Sequence, residues 1–250
     1  MGDRSDSLAV HRRSTALAGA PVTILRLRPG SPARFATNRY HETWHVLSDL
    51  AGGRLLGRLC WALSFQRRPG TLVVLAPPEV VPNPFDADPS NPVVLVNTDL
   101  GPFTAAMAAD LKLRLRRPAR SDGTVVLRTP GLDAALGDRD AFHRRPEQSG
   151  WHAEALRPHT RIERRNGVVV VAAPAPVLRA WAVDLTRMGE WLRRGSSEVE
   201  LDWPTSNGEV QVFPDFEARV AAARSARERL FPGRAHQELA PEERQLVWAG

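Results

Sequence analysis

His41, Glu42 and His45, inside the pentad His41-Glu42-Thr43-Trp44-His45, have the types and spacing for metal-assisted hydrolysis. On a helix, residues i and i+4 share a face, so two imidazoles placed there can hold one zinc ion. The intervening carboxylate then takes a proton from a zinc-bound water. Read this way, His41 and His45 are metal ligands and Glu42 is the catalytic base of a zinc-dependent hydrolase of the HExxH metallopeptidase type. The extended form of the motif fails, because Ser48 and Ala51 stand where a glycine and a third histidine belong. Asp49, Glu79, Asp86, Asp88 and Asp99 follow downstream, but none stands in a recognisable ligand context, so the third ligand has no visible source.

The remaining reactive side chains form no second constellation. Asp86-Ala87-Asp88 has the spacing of a metal–nucleotide-sugar site, a very common tripeptide that carries little weight alone. His143, His152 and His159 lie close in sequence, but their separations match no metal-ligand pattern, and a solvated loop is expected. Cys60 is the only cysteine and sits in the apolar run Leu59-Cys60-Trp61-Ala62-Leu63, so it is expected to be packed rather than reactive. No glycine-rich phosphate loop ending in Lys-Ser/Thr and no Gly-x-Ser-x-Gly elbow is present.

Charge narrows the partners. The net charge is +6, and Lys112 is the only lysine beside 33 arginines, a skew that fits codon bias in a high-GC bacterium. The arginines are interleaved with acids, and Tyr40 is the only tyrosine, so the aromatic–basic array that stacks single-stranded bases is missing. Nucleic-acid binding is therefore expected to be weak and non-specific at most. No apolar run approaches the roughly 18 residues of a membrane helix, and no membrane partner is expected. Residues 1–20 are read as a flexible polar tail, since Arg12-Arg13 leads into a stretch too weakly apolar for a signal.

Elements must position any of these residues. Strands are expected over 22–28, 71–75, 92–97 and 123–128. Tyr40, Trp44, Leu47 and Ala51, spaced by 4, 3 and 4, predict a helix over 34–51 that carries the histidine pair. Further helices are expected over 55–66, 102–116, 177–194, 214–231 and 241–248. Pro77, Pro78, Pro82, Pro84, Pro89 and Pro92 make 77–92 an extended loop. Asn166-Gly167 between β-rich runs is the strongest hairpin signal, and a second hairpin is expected over 197–213. The fold class is α/β to α+β, a mixed β-sheet flanked by helices, with two β-hairpins and two helices in the C-terminal part. Residues 21–250 are expected to form one globular domain, with a subdivision near 130–160.

Since no catalytic set is complete, the expected function is that of a non-catalytic interaction or regulatory protein of the cytoplasm. The zinc-dependent hydrolase is the alternative. Zinc is the one cofactor the motif admits, and otherwise none is expected. The expected partner is another protein.

Overall fold

Among the described residues, eleven strands build two sheets, with helices between and outside them. The computed structural model describes residues 7–117, 121–148, 159–188, 197–201, 208–234 and 239–249. The large sheet begins with the hairpin β1 (Ser7–Leu17) and β2 (Ala20–Leu27). Residues 7–17 are thus a paired strand rather than part of a polar tail. Val10 and Leu17 are fully buried, whereas the polar residues between them lie at the sheet's surface, which makes the strand look hydrophilic in sequence. β5 (Thr71–Leu75), β6 (Val93–Asn97), β7 (Gly123–Arg128), β8 (Arg161–Arg165) and β9 (Val168–Ala173) complete the sheet in the order β7-β1-β2-β5-β6-β9-β8. β2 runs parallel to β5 and β6 parallel to β9; the other pairs are antiparallel. β5, β6 and β9 are buried along their whole length, as their unbroken Val/Leu/Ala runs require. Asn166 and Gly167 join β8 to β9 with φ of 46° and 75°, the left-handed pair that a two-residue hairpin turn demands.

The expected helix over 34–51 is instead a second hairpin, β3 (Phe35–Tyr40) and β4 (Thr43–Ser48), turned at His41 and Glu42 with φ of 46° and 69°. Neither turn residue is the Gly or Asn that usually announces such a turn. β4 pairs in parallel with β11 (Gly208–Val212), which pairs with β10 (Ser197–Glu200), giving a four-stranded sheet in the order β10-β11-β4-β3. The second C-terminal hairpin is therefore present, although residues 202–207 of its turn lie outside the described residues.

Helices fill the space between the sheets. α1 (Leu50–Ser64) starts where Asp49 accepts a 2.7 Å hydrogen bond from the Gly52 N–H, and it packs along α5 (Ala175–Arg187). Leu59, Cys60 and Leu63 of α1 and Leu178, Ala182 and Leu185 of α5 form one core with Leu25, Val73 and Leu95 of the large sheet and Val46, Val210 and Val212 of the small one. α2 (Ala105–Leu115) covers the opposite face of the large sheet through Met107, Ala108 and Leu111. α3 (Leu132–Gly137) and α4 (Arg139–His143) follow β7. α6 (Phe216–Leu230) lays Phe216 and Val220 on Ala36 and Leu47 of the small sheet, and α7 (Pro241–Ala249) packs against α6. A mixed sheet flanked by helices, with two hairpins in the C-terminal part, is thus the architecture. α5 ends at Arg187 in the described chain, and the expected continuation over 189–194 lies outside the described residues.

Candidate functional site

The pentad is not helical, so its i,i+4 spacing does not align the imidazoles. His41 is exposed at the turn, with its ring 4.0 Å from that of Tyr40. Glu42 points to solvent and pairs with Arg39 at 2.9 Å. His45 stands in β4, only 6% exposed, with Nε2 3.5 Å from Oε2 of Glu209 on the neighbouring strand. Among the described residues, no group of three or more His, Cys, Asp and Glu side chains is placed to share a metal ion.

His45 instead belongs to a polar network across three strands. Glu209 Oε1 accepts from Gln211 Nε2 at 2.8 Å, and Glu198 on β10 lies beside both. Burial pushes the Glu209 carboxyl up, but hydrogen bonds from His45, Gln211 and Glu198 outweigh it and hold the group below its ordinary value. The charge of Glu209, then burial, pushes the Glu198 carboxyl up. Of the two carboxyls, Glu209 is therefore the stronger acid.

The other candidates are tied into the fold. Asp99 accepts from the Ala175 N–H at 2.9 Å and so caps α5, whose own N-cap, Pro174, has no side-chain donor or acceptor. Asp86 accepts from the Asp88 N–H at 3.0 Å, and Arg227 of α6 reaches Asp88 at 3.2 Å, so Asp-Ala-Asp clamps a helix to the proline loop. Burial, then the charge of Asp86, raises the Asp88 carboxyl to about 7. Glu79 is buried 4.0 Å from Arg26. His143 lies 3.4 Å from Asp184, His159 stands beside β8, and His152 is outside the described residues. Cys60 is fully buried, and burial pushes its thiol up to about 12, which leaves it a packing residue.

A cleft of about 470 Å³ opens on the α2 face of the large sheet, between β1, β2, the end of α2 and the loop at Pro77-Pro78-Glu79. Strand alternation sets its chemistry. His11 faces Arg26 across the β1–β2 ladder and Arg13 faces Ile24, which places these side chains on the face that α2 covers. Ile24, Leu111 and Leu115 give an apolar floor. Six arginines and one histidine line the cleft among the described residues, against Glu79 as the one carboxylate. Two of the arginines are committed internally. Arg26 donates to the Pro77 carbonyl at 2.9 Å, and burial, against the charge of Glu79, lowers its pKa. Arg114 forks onto Asp110 at 2.8 and 3.2 Å and reaches the Thr15 hydroxyl at 3.2 Å. The side chains of Arg13, Arg116 and Arg117 have no hydrogen-bond or ion-pair partner among the described residues.

At this cleft the interleaving of arginine with acid along the chain does not survive in space, although arginines elsewhere pair with acids, as Arg39 does with Glu42 and Arg139 with Asp184. The cluster following Lys112 was visible in the sequence, but its partners on β1 and β2 come from a segment read as tail and from a neighbouring strand. The alternation His11-x-Arg13-x-Thr15, flanked by Val10 and Leu17, is the signal that could have found them. No family model, curated protein or solved structure matches the chain, so the reading of function rests on the chemistry of the site.

Proposed function

We propose that this chain is a non-catalytic interaction protein that holds an anionic, apolar-anchored segment of a partner protein in the arginine-lined cleft. The observation that carries the reading is the unpaired arginine trio Arg13, Arg116 and Arg117 above the floor of Ile24, Leu111 and Leu115. Uncommitted guanidiniums recruit carboxylates without first breaking an internal pair. The apolar floor rewards a buried aliphatic side chain between those carboxylates. A nucleic acid would meet the same cations, but among the described residues no Phe, Tyr or Trp lines the cleft to stack a base. The zinc-hydrolase reading of His41, Glu42 and His45 has lost the helix on which it rested.

The test is fluorescence anisotropy with a labelled eight-residue peptide alternating Glu and Val, beside a single-stranded oligonucleotide of equal charge. The peptide is expected to bind in preference to the oligonucleotide. The double variant Arg13→Glu/Arg117→Glu should weaken the peptide at least tenfold, about 1.4 kcal/mol. Equal binding by the variant, or preference for the oligonucleotide, would overturn the reading.

A further inference from the structure

Among the described residues the two sheets have four edge strands, and three of them are defended against pairing with another chain. β3 is covered by the proline loop: the Phe35 N–H donates to the Glu79 carbonyl, the Val81 N–H to the Phe35 carbonyl, and the Thr37 N–H to the Ser90 hydroxyl. β8, Arg-Ile-Glu-Arg-Arg, is charged at every position but Ile162. β10 is four residues long and carries Glu198 and Glu200. Short strands, charge and covering loops are the usual devices that keep an edge from pairing.

β7 has none of these. Its sequence, Gly-Thr-Val-Val-Leu-Arg, has no charge before Arg128 and no proline. It pairs with β1 over six residues on one side. On its other side no hydrogen bond to another element is present among the described residues. Val126 is 58% exposed there, while Leu127 turns into the core. The edge offers the outward backbone donors and acceptors of alternate residues beyond Gly123, whose own N–H and C=O bond the Ser121 hydroxyl, beside an exposed aliphatic side chain.

Charge decides what fits. Neither β1 nor β7 contains an acidic residue, and together they carry His11, Arg12, Arg13 and Arg128. A second copy of this chain would bring a second set of like charges to the same place. An acidic extended segment would not. Its carboxylates, projecting at every second residue, would lie on the face of Arg128 and, one strand further in, of His11, and its intervening aliphatic residues would fall on the face where Leu127 and Leu8 lie.

We infer that β7 is a docking strand, to which an acidic, alternating segment of a partner protein adds as an eighth strand of the large sheet. This inference rests on the reading above that the chain is an interaction protein for acidic segments, and it places the segment's aliphatic side chains on the Leu127 face rather than on the cleft floor. Main-chain hydrogen bonds supply the attachment and the cations of β1 and β7 select the charge, the division of labour found in strand-addition complexes generally.

The experiment uses the intact protein and chemically altered peptides, so that no variant need fold. A strand added to an edge uses the amides of alternate residues only. Two versions of the Glu/Val peptide are made, one N-methylated at the even-numbered amides and one at the odd-numbered amides. One series is expected to bind at least tenfold more weakly than the other. Hydrogen exchange should show new protection confined to amides within residues 123–128. Equal binding by the two series, or protection at β8 or β10 instead, overturns strand addition. The two readings fail separately. If the unmodified peptide binds and responds to Arg13→Glu/Arg117→Glu but both methylated series match it, the cleft reading stands and strand addition falls. If the unmodified peptide does not bind, both fall.

Discussion

Replacing Gly57 by alanine should destabilise the protein, although alanine is the better helix former. Gly57 sits in the middle of α1, where that helix crosses α5. A Cβ at this position would lie 2.8 Å from the Ala182 carbonyl oxygen and 3.1 Å from the Thr186 N–H nitrogen, and would also strike the Thr186 hydroxyl. Two of those obstacles are backbone, so relief requires α5 to move away from a core that includes Leu178 and Leu185. Overpacking of this kind costs about 1–3 kcal/mol. The propensity gain from Gly to Ala, about 1 kcal/mol, opposes it. The net expectation is a loss of up to about 2 kcal/mol, which is up to roughly 4–8 °C in Tm for a chain of this size. Urea unfolding followed by circular dichroism reads the difference as a lower midpoint at unchanged slope. Gly137→Ala is the internal control, because a Cβ there meets nothing within 4 Å. If Gly57→Ala raises the midpoint as Gly137→Ala does, the close helix crossing is not what selects glycine.

Three further outcomes are expected. Asp88 titrates near 7 in the folded chain, above its unfolded value, so its contribution is fully present below about pH 3.9 and lost as pH rises through 7. Asp88→Asn should therefore lose less stability than the wild type between pH 5 and 8, and parallel pH profiles would refute the assignment. Asp99→Ala removes the side-chain acceptor at the start of α5 and should cost about 0.5–2 kcal/mol in the same urea assay; an unchanged midpoint would show the cap to be idle. Zinc content after equilibration with excess metal and desalting should be near zero and unaltered by His45→Ala. One equivalent of zinc, lost in that variant, would restore the hydrolase reading.

The parts legible in the sequence are those whose signals are local. The Asn166-Gly167 turn declares itself because both residues tolerate positive φ. β5, β6 and β9 show as unbroken apolar runs, and α2 as a four-residue repeat of Phe103, Met107, Leu111 and Leu115. The β3–β4 hairpin was hidden twice: its turn uses His41 and Glu42, which carry no turn signal, and Tyr40, Trp44 and Leu47 happen to fall at helical spacing. The cleft was hidden because it is a tertiary object. Arg13 and Arg117 are about a hundred residues apart and meet only through the pairing of β1 with β2 and the docking of α2. The second sheet was hidden for the same reason, since β4 and β11 are parallel partners with most of the chain between them.

That parallel pairing orders events during synthesis. α1 packs on β11 as well as on β4, yet residues 208–212 leave the ribosome some 150 residues after α1 does. Until they arrive, β4 presents a bare edge toward the place of its missing neighbour, and the apolar side of α1 that will meet Val212 is wet. Contacts of such long sequence separation form late. The nascent chain therefore passes through an interval in which the β4 edge and the apolar side of α1 are exposed together, and a translation pause before residue 208 would lengthen that interval.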